Sequence, residues 1–274
     1  MFMKCAAGIL TCLVLLATNS FGTVFLLDFN THTDATGGYP NATTWNVYGA
    51  PSNINGSTLV SSSGAASAVK VSLAPGSTIT DSSNGGTAQA FNNASNNPSW
   101  VASTTANAAA GDYFFTSTTV ANASFILVFE NLTVGDLMSL DLLAARGNSS
   151  PNSGFYSYSL SASGDDWVGF SVVDHLGVPV TTNGWENAST LDKAFDGLSD
   201  GYNSHRYLTT LSPVTLTSTT LRIRVSEVTS AEVGPYAVLN AVRLAVTPEP
   251  GRMVLLMMAG LAWVGRRQRN RAAL

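Results

Sequence analysis

Leu221-Arg222-Ile223-Arg224-Val225 alternates apolar and charged side chains without a break. Successive side chains of a strand point to opposite faces, so this pattern buries Leu221, Ile223 and Val225 and turns Arg222 and Arg224 toward water. Met138-Ser139-Leu140-Asp141-Leu142 alternates in the same way. Phe155 to Leu160 sets Tyr156, Tyr158 and Leu160 on one face with Ser157 and Ser159 opposite. The short apolar runs Val24 to Leu27 and Phe125 to Phe129, which close near Asp28 and Glu130, fit more deeply buried strands.

Working outward, Trp45 to Tyr48, Ala68 to Leu73, Trp167 to Val173, Val214 to Thr217 and Tyr236 to Leu244 extend the set to about ten predicted strands. Gly147-Asn148, Gly164-Asp165, Asn183-Gly184 and Gly234-Pro235 supply turn residues between them. No stretch outside the two termini has a convincing helical period, and no internal repeat points to a propeller or solenoid. Many short half-buried strands call for a facing layer, which predicts an all-β fold: a two-sheet antiparallel β-sandwich of the jelly-roll kind. Residues 52–110 are rich in Ser, Asn, Ala and Gly, with Phe91 and Trp100 among their few large apolar side chains, so long loops or short edge strands are expected there.

Both ends of the chain differ from this body. Lys4 precedes an apolar stretch from Cys5 to Ala17, and Ser20-Phe21-Gly22 places small residues where a signal peptidase reads them. Residues 1–22 are therefore expected to be a signal peptide, with Thr23 as the first residue of the mature chain. The alternative of a lipoprotein is disfavoured by the Thr before Cys12. Cys5 and Cys12 are the chain's two cysteines, so the body from 23 to 246 has neither a disulfide framework nor a thiol nucleophile. That body carries 16 acidic and 7 basic residues, which argues against nucleic acid as a partner.

At the other end, Pro248-Glu249-Pro250 should form an exposed, unpaired strip, because proline donates no backbone hydrogen bond and biases its neighbour toward extended geometry. Gly251 to Gly265 follows without Pro or acidic residues, and as a helix it would reach roughly 22 Å at about 1.5 Å per residue. Arg252 at one end and Arg266, Arg267, Arg269 and Arg271 at the other can snorkel, so a short transmembrane helix is expected, with the basic cluster cytoplasmic and the body outside. On physical grounds alone an ordinary membrane anchor or an amphipathic basic tail fits as well.

The order Pro248-Glu249-Pro250, apolar run, Arg266-Arg267 cluster resembles the PEP-CTERM sorting signal of Gram-negative bacteria, over about a tenth of the chain. Arg252 and the shortness of the apolar run depart from that pattern. The resemblance implies handling by exosortase in the inner membrane after signal peptidase has acted, and a destination at the cell surface or in extracellular polysaccharide. Phe129-Glu130-Asn131-Leu132, Leu140 to Gly147, Tyr156 to Leu160 and Tyr236 to Val242 resemble the core strands of galactose-binding-like jelly rolls. That second resemblance implies a fold and no particular chemistry. The expected organisation is thus a signal peptide over 1–22, a β-sandwich over 23–246 and a sorting signal over 247–274.

Candidate chemistry within the body is sparse. Asp165, Asp166, Asp174, Asp192, Asp196 and Asp200 offer carboxylates for a glycosidase pair, yet most fall in predicted turns that favour Asp for its own sake. Asp192, Asp196 and Asp200 are weak candidates for a structural calcium, against the plainer reading of a solvated loop, and no other cofactor is expected. His32, His175 and His205 lie far apart in sequence, without the spacing of a zinc site, and no G-x-S-x-G elbow accompanies Asp174-His175. Trp167, Trp185, Tyr202 and Tyr207, near Asn183 and Asp166, are a mixture suited to stacking on sugar rings. The expectation is a non-catalytic exported protein associated with exopolysaccharide. A secreted polysaccharide-active enzyme and a ligand-free structural coat protein are the rivals.

Overall fold

In the computed structural model of the chain, the residues described are 22–29, 44–81, 98–102, 114–116, 123–144, 153–179, 193–196, 206–227, 237–249 and 263. The strands in chain order are β1 (Thr23–Asp28), β2 (Asn46–Val47), β3 (Ser57–Val60), β4 (Ala66–Leu73), β5 (Ile79–Asp81), β6 (Phe114–Thr116), β7 (Ser124–Glu130), β8 (Leu137–Leu143) and β9 (Ser153–Ser159). They continue with β10 (Val168–Gly169), β11 (Ser171–Asp174), β12 (Lys193–Asp196), β13 (Arg206–Thr209), β14 (Val214–Thr215), β15 (Leu221–Glu227), β16 (Val238–Leu239) and β17 (Ala241–Thr247). A 3-10 turn at Pro51–Ile54 and a four-residue helix at Ser99–Ala102 interrupt them.

Among the described strands, two sheets of seven face each other across one core. The first runs β11-β13-β8-β17-β1-β2 with β14 also on β8, and the second runs β10-β9-β15-β7-β4-β3 with β12 also on β9. A small third sheet, β16-β6-β5, stands beside them. β15 sits in the middle of the second sheet between β9 and β7, and its burial alternates along all seven residues as its sequence predicts. Leu221, Ile223 and Val225 are fully buried, each contributing about 1.5–3 kcal/mol by leaving water. They meet Phe25, Leu27, Leu140, Leu142 and Leu244 of the first sheet in a single apolar cluster.

Several expectations need correction. Arg222 and Arg224 are half-buried rather than fully in water. The Arg224 guanidinium lies 4.4 Å from the centroid of the Trp167 ring, and Arg222 Nη2 donates to the Ala162 carbonyl at 2.6 Å, so both side chains hold the 161–167 loop against the sheet. Trp167 to Val173 is not one strand: β10 belongs to the second sheet and β11 to the first, and the chain changes layers at the fully buried Phe170. Tyr236 to Leu244 is likewise divided at Asn240, whose N–H donates to the Leu143 carbonyl at 2.9 Å and whose carbonyl accepts from Phe29 N–H at 3.0 Å. Among the described strands pairing is antiparallel except for β2, which runs parallel to β1. A parallel neighbour needs a long connection rather than a tight hairpin, and residues 30–43 provide its length. Within 52–110, the described part holds the edge strand β3, the short β5 and the longer β4, which lies between β3 and β7.

β1 and β17 pair from Thr23↔Val246 to Asp28↔Ala241, so the start and end of the body lie side by side. Past Thr247 the chain leaves the ladder, with Pro248 half-buried and Glu249 exposed. Residues 1–21, Pro250, Arg266 and Arg267 lie outside the described residues. Trp263 of the apolar run is 62% exposed. Among the described residues no helix is long and apolar enough to cross a membrane.

Candidate functional site

The outward face of the first sheet departs from the polar surface expected of a sandwich exterior. β8, β13 and β17 are neighbours there, and their register sets Thr209 opposite Asp141 and Asp141 opposite Arg243. Cross-strand partners point to the same side of a sheet, so these three side chains form one polar row. Thr209 Oγ1 donates to Asp141 Oδ1 at 2.6 Å, and Arg243 Nη1 donates to Asp141 Oδ2 at 2.7 Å. The Asp141 side chain is only 9% exposed while that of Arg243 is 30% exposed. The carboxylate is thus an internal anchor, and the guanidinium is the part that meets solvent.

Two residues further along the same strands the face becomes apolar. Leu26, Leu143, Ala241, Trp45 and Val101 form a second buried cluster, with Val24, Val47, Trp100 and Tyr207 packed against it. The helix Ser99–Ala102 places the half-buried Trp100 over the buried Trp45, with ring centroids 6.5 Å apart and planes inclined at 24°. Tyr207 meets Trp100 edge-on, at 6.5 Å and 78°. Burial first, and the Asp141 carboxylate second, push the Tyr207 phenol above its usual range, while Arg243 pulls the other way. The hydroxyl therefore stays protonated near neutral pH and can both donate and accept. Aromatic rings, a phenol and an ion-paired guanidinium meet at one border over the outward face of β8, β13 and β17.

The sites named from sequence are distributed differently. Trp185, Tyr202, Asn183, Asp192 and Asp200 lie outside the described residues, and Asp196 is placed on β12. Trp167 is half-buried beneath Arg224 on the opposite sheet. No group of three or more metal-ligating side chains occurs among the described residues.

The turn acids have local partners. Asp166 accepts from Ser159 Oγ and from Ser161 N–H, and hydrogen bonds from Ser161 and then Ser163 hold the Asp165 carboxyl below its usual range. Asp174 Oδ1 accepts from Leu176 N–H at 2.9 Å and Val178 N–H at 2.8 Å, closing its own turn. A shallow depression of about 180 Å³ between Thr23, Ser61, Ser62, Ser63 and Ser67 is lined by hydroxyls and aliphatic groups without an ionised side chain.

Sequence reading singled out Tyr207 but missed Trp45, Trp100, Asp141 and Arg243. The available signal was an opposite-charge pair, Asp141 and Arg243, each the one charged residue of its strand. Joining them required the β8–β17 register.

No protein-family model matches the chain, and no curated relative matches it in sequence. Among solved structures it is similar to an exo-β-1,3-galactanase from Phanerochaete chrysosporium crystallised with galactose, at 13% identity and a TM-score of 0.25. The match covers 68% of this chain and 32% of the galactanase, so the chain spans about a third of that protein's length.

Proposed function

We propose that this is an exported, non-catalytic surface or matrix protein whose Pro248-Glu249-Pro250 tail passes it to an exosortase and whose β-sandwich associates with extracellular polysaccharide. The tail sequence carries the reading: a proline-flanked acid, an apolar run and an arginine cluster follow one another in the order of the PEP-CTERM signal that it resembles. The fold supports it at both ends of the body. Thr23 and Val246 are ladder partners, and Glu249 is exposed just beyond β17, so both processing sites would emerge from one side of a folded domain. The two-sheet sandwich is compatible with the jelly roll that the core-strand resemblance implies.

Expression of the full chain in a bacterium with an exosortase, and in the same strain lacking it, tests the sorting step. The surface-released protein should lose the mass of the residues beyond the Pro248–Pro250 strip only when the enzyme is present. Pro248→Ala combined with Glu249→Ala should leave the chain uncut in the membrane fraction. Identical mass and location in the two strains would overturn the reading.

A further inference from the structure

We infer that the outward face of the first sheet, at the border between Trp100–Tyr207 and the Arg243–Asp141 row, binds a neutral polysaccharide; this rests on the proposed association with extracellular polysaccharide and gives that association a place. Sugar rings present an apolar C–H face and a rim of hydroxyls, so a receptor must offer a flat aromatic surface beside fixed hydrogen-bonding groups. This border sets the partly exposed Trp100 ring beside the ion-paired Arg243 fork. Trp100 is held by Trp45 on one side and Tyr207 on another, yet it remains half-buried rather than enclosed. Arg243 is oriented by its bond to Asp141, and Asp141 is in turn fixed by Thr209, so the donor fork is set before any ligand arrives.

Charge decides between neutral and acidic polymers. Asp141 neutralises Arg243 at close range, and the body from 23 to 246 as a whole carries 16 acidic residues against 7 basic ones. A polyanion would meet no net positive field here and would be repelled by the rest of the surface. A neutral chain of hexoses loses nothing by that field.

Affinity electrophoresis of the purified full chain through gels containing laminarin, a β-1,4-galactan, a mannan or polygalacturonate tests the site. At least one neutral polymer should retard the protein, and polygalacturonate should not. Arg243→Lys, which keeps the charge but loses the fork, and Trp100→Leu should each weaken retardation about ten-fold. Tyr207→Phe, which removes one oxygen, serves as the mild variant if either of those lowers the melting temperature, and it should weaken binding several-fold. Full retardation of folded variants, loss through Trp185→Ala alone, or preference for polygalacturonate would overturn the site while leaving polysaccharide association standing. Absence of retardation by every polymer would overturn the association itself. The sorting proposal is read independently by the mass of the released protein.

Discussion

Leu211 has a φ of 55°, in the left-handed region that costs a side chain with a Cβ roughly 1–2 kcal/mol, and it is 52% exposed. The turn holding it is pinned at Thr210, whose N–H donates to the Leu140 carbonyl at 3.1 Å and whose Oγ1 accepts from Leu140 N–H at 3.3 Å. Asparagine tolerates this backbone better, so Leu211→Asn should raise stability by about 0.5–1 kcal/mol in urea unfolding; a loss of stability would show that the leucine side chain contributes more than its exposure suggests. Asp141→Asn removes the charge from both the Thr209 and the Arg243 bonds and should cost about 2 kcal/mol. A double-mutant cycle with Arg243→Met should return a coupling energy clearly above zero, and a null coupling would demote the pair to an incidental contact. A positive φ at leucine carries no signal in the sequence, and the two charges of the pair stand out singly but are 102 residues apart, so the sequence does not join them.

At the scale of elements, β9 is constrained by Gly154. A Cβ at that position would collide with the Ala237 methyl and come within 2.8 Å of Tyr156 Cε2. Gly154→Ala should therefore destabilise by about 1–3 kcal/mol through overpacking, and adding Ala237→Gly should recover part of that loss. Additive losses in the double variant would place the strain elsewhere. The layer change between β10 and β11 depends on Phe170, which packs at 5.3 Å from the Tyr158 ring inside the core. Phe170→Ala should cost about 3–5 kcal/mol and lower the melting temperature accordingly. The run from Trp167 to Val173 was legible as extended chain because its residues favour strands. The break at Phe170 was not legible, since a residue buried between two sheets reads the same as one buried within a strand.

For the whole molecule, Tyr48, Tyr156, Tyr158 and Tyr207 all have phenol pKa values raised by burial, Tyr156 most strongly. In the unfolded chain they ionise at about 10, the ordinary value for tyrosine. A folded pKa above the unfolded one means stability that is fully present below pH 10 and is lost as pH rises beyond it, because the unfolded state then releases protons that the folded state retains. Melting temperature measured from pH 8 to pH 12 should thus fall steeply above about pH 10. Tyr156→Phe gives up the bond to the Val238 carbonyl at 2.6 Å, costing about 1 kcal/mol at neutral pH. It should also flatten the alkaline decline by about 1.4 kcal/mol per pH unit, and an unchanged slope would contradict the burial account. By itself the sequence determined which side of β8, β9 and β15 enters the core, because alternation is a local property of two faces on one strand. Only the tertiary structure decided which strands are neighbours, and with that the meeting of Asp141 with Arg243 and of Trp45 with Trp100 and Tyr207. Register and layer order are set by contacts between distant segments, and an alternating strand matches many partners until the shared core selects one.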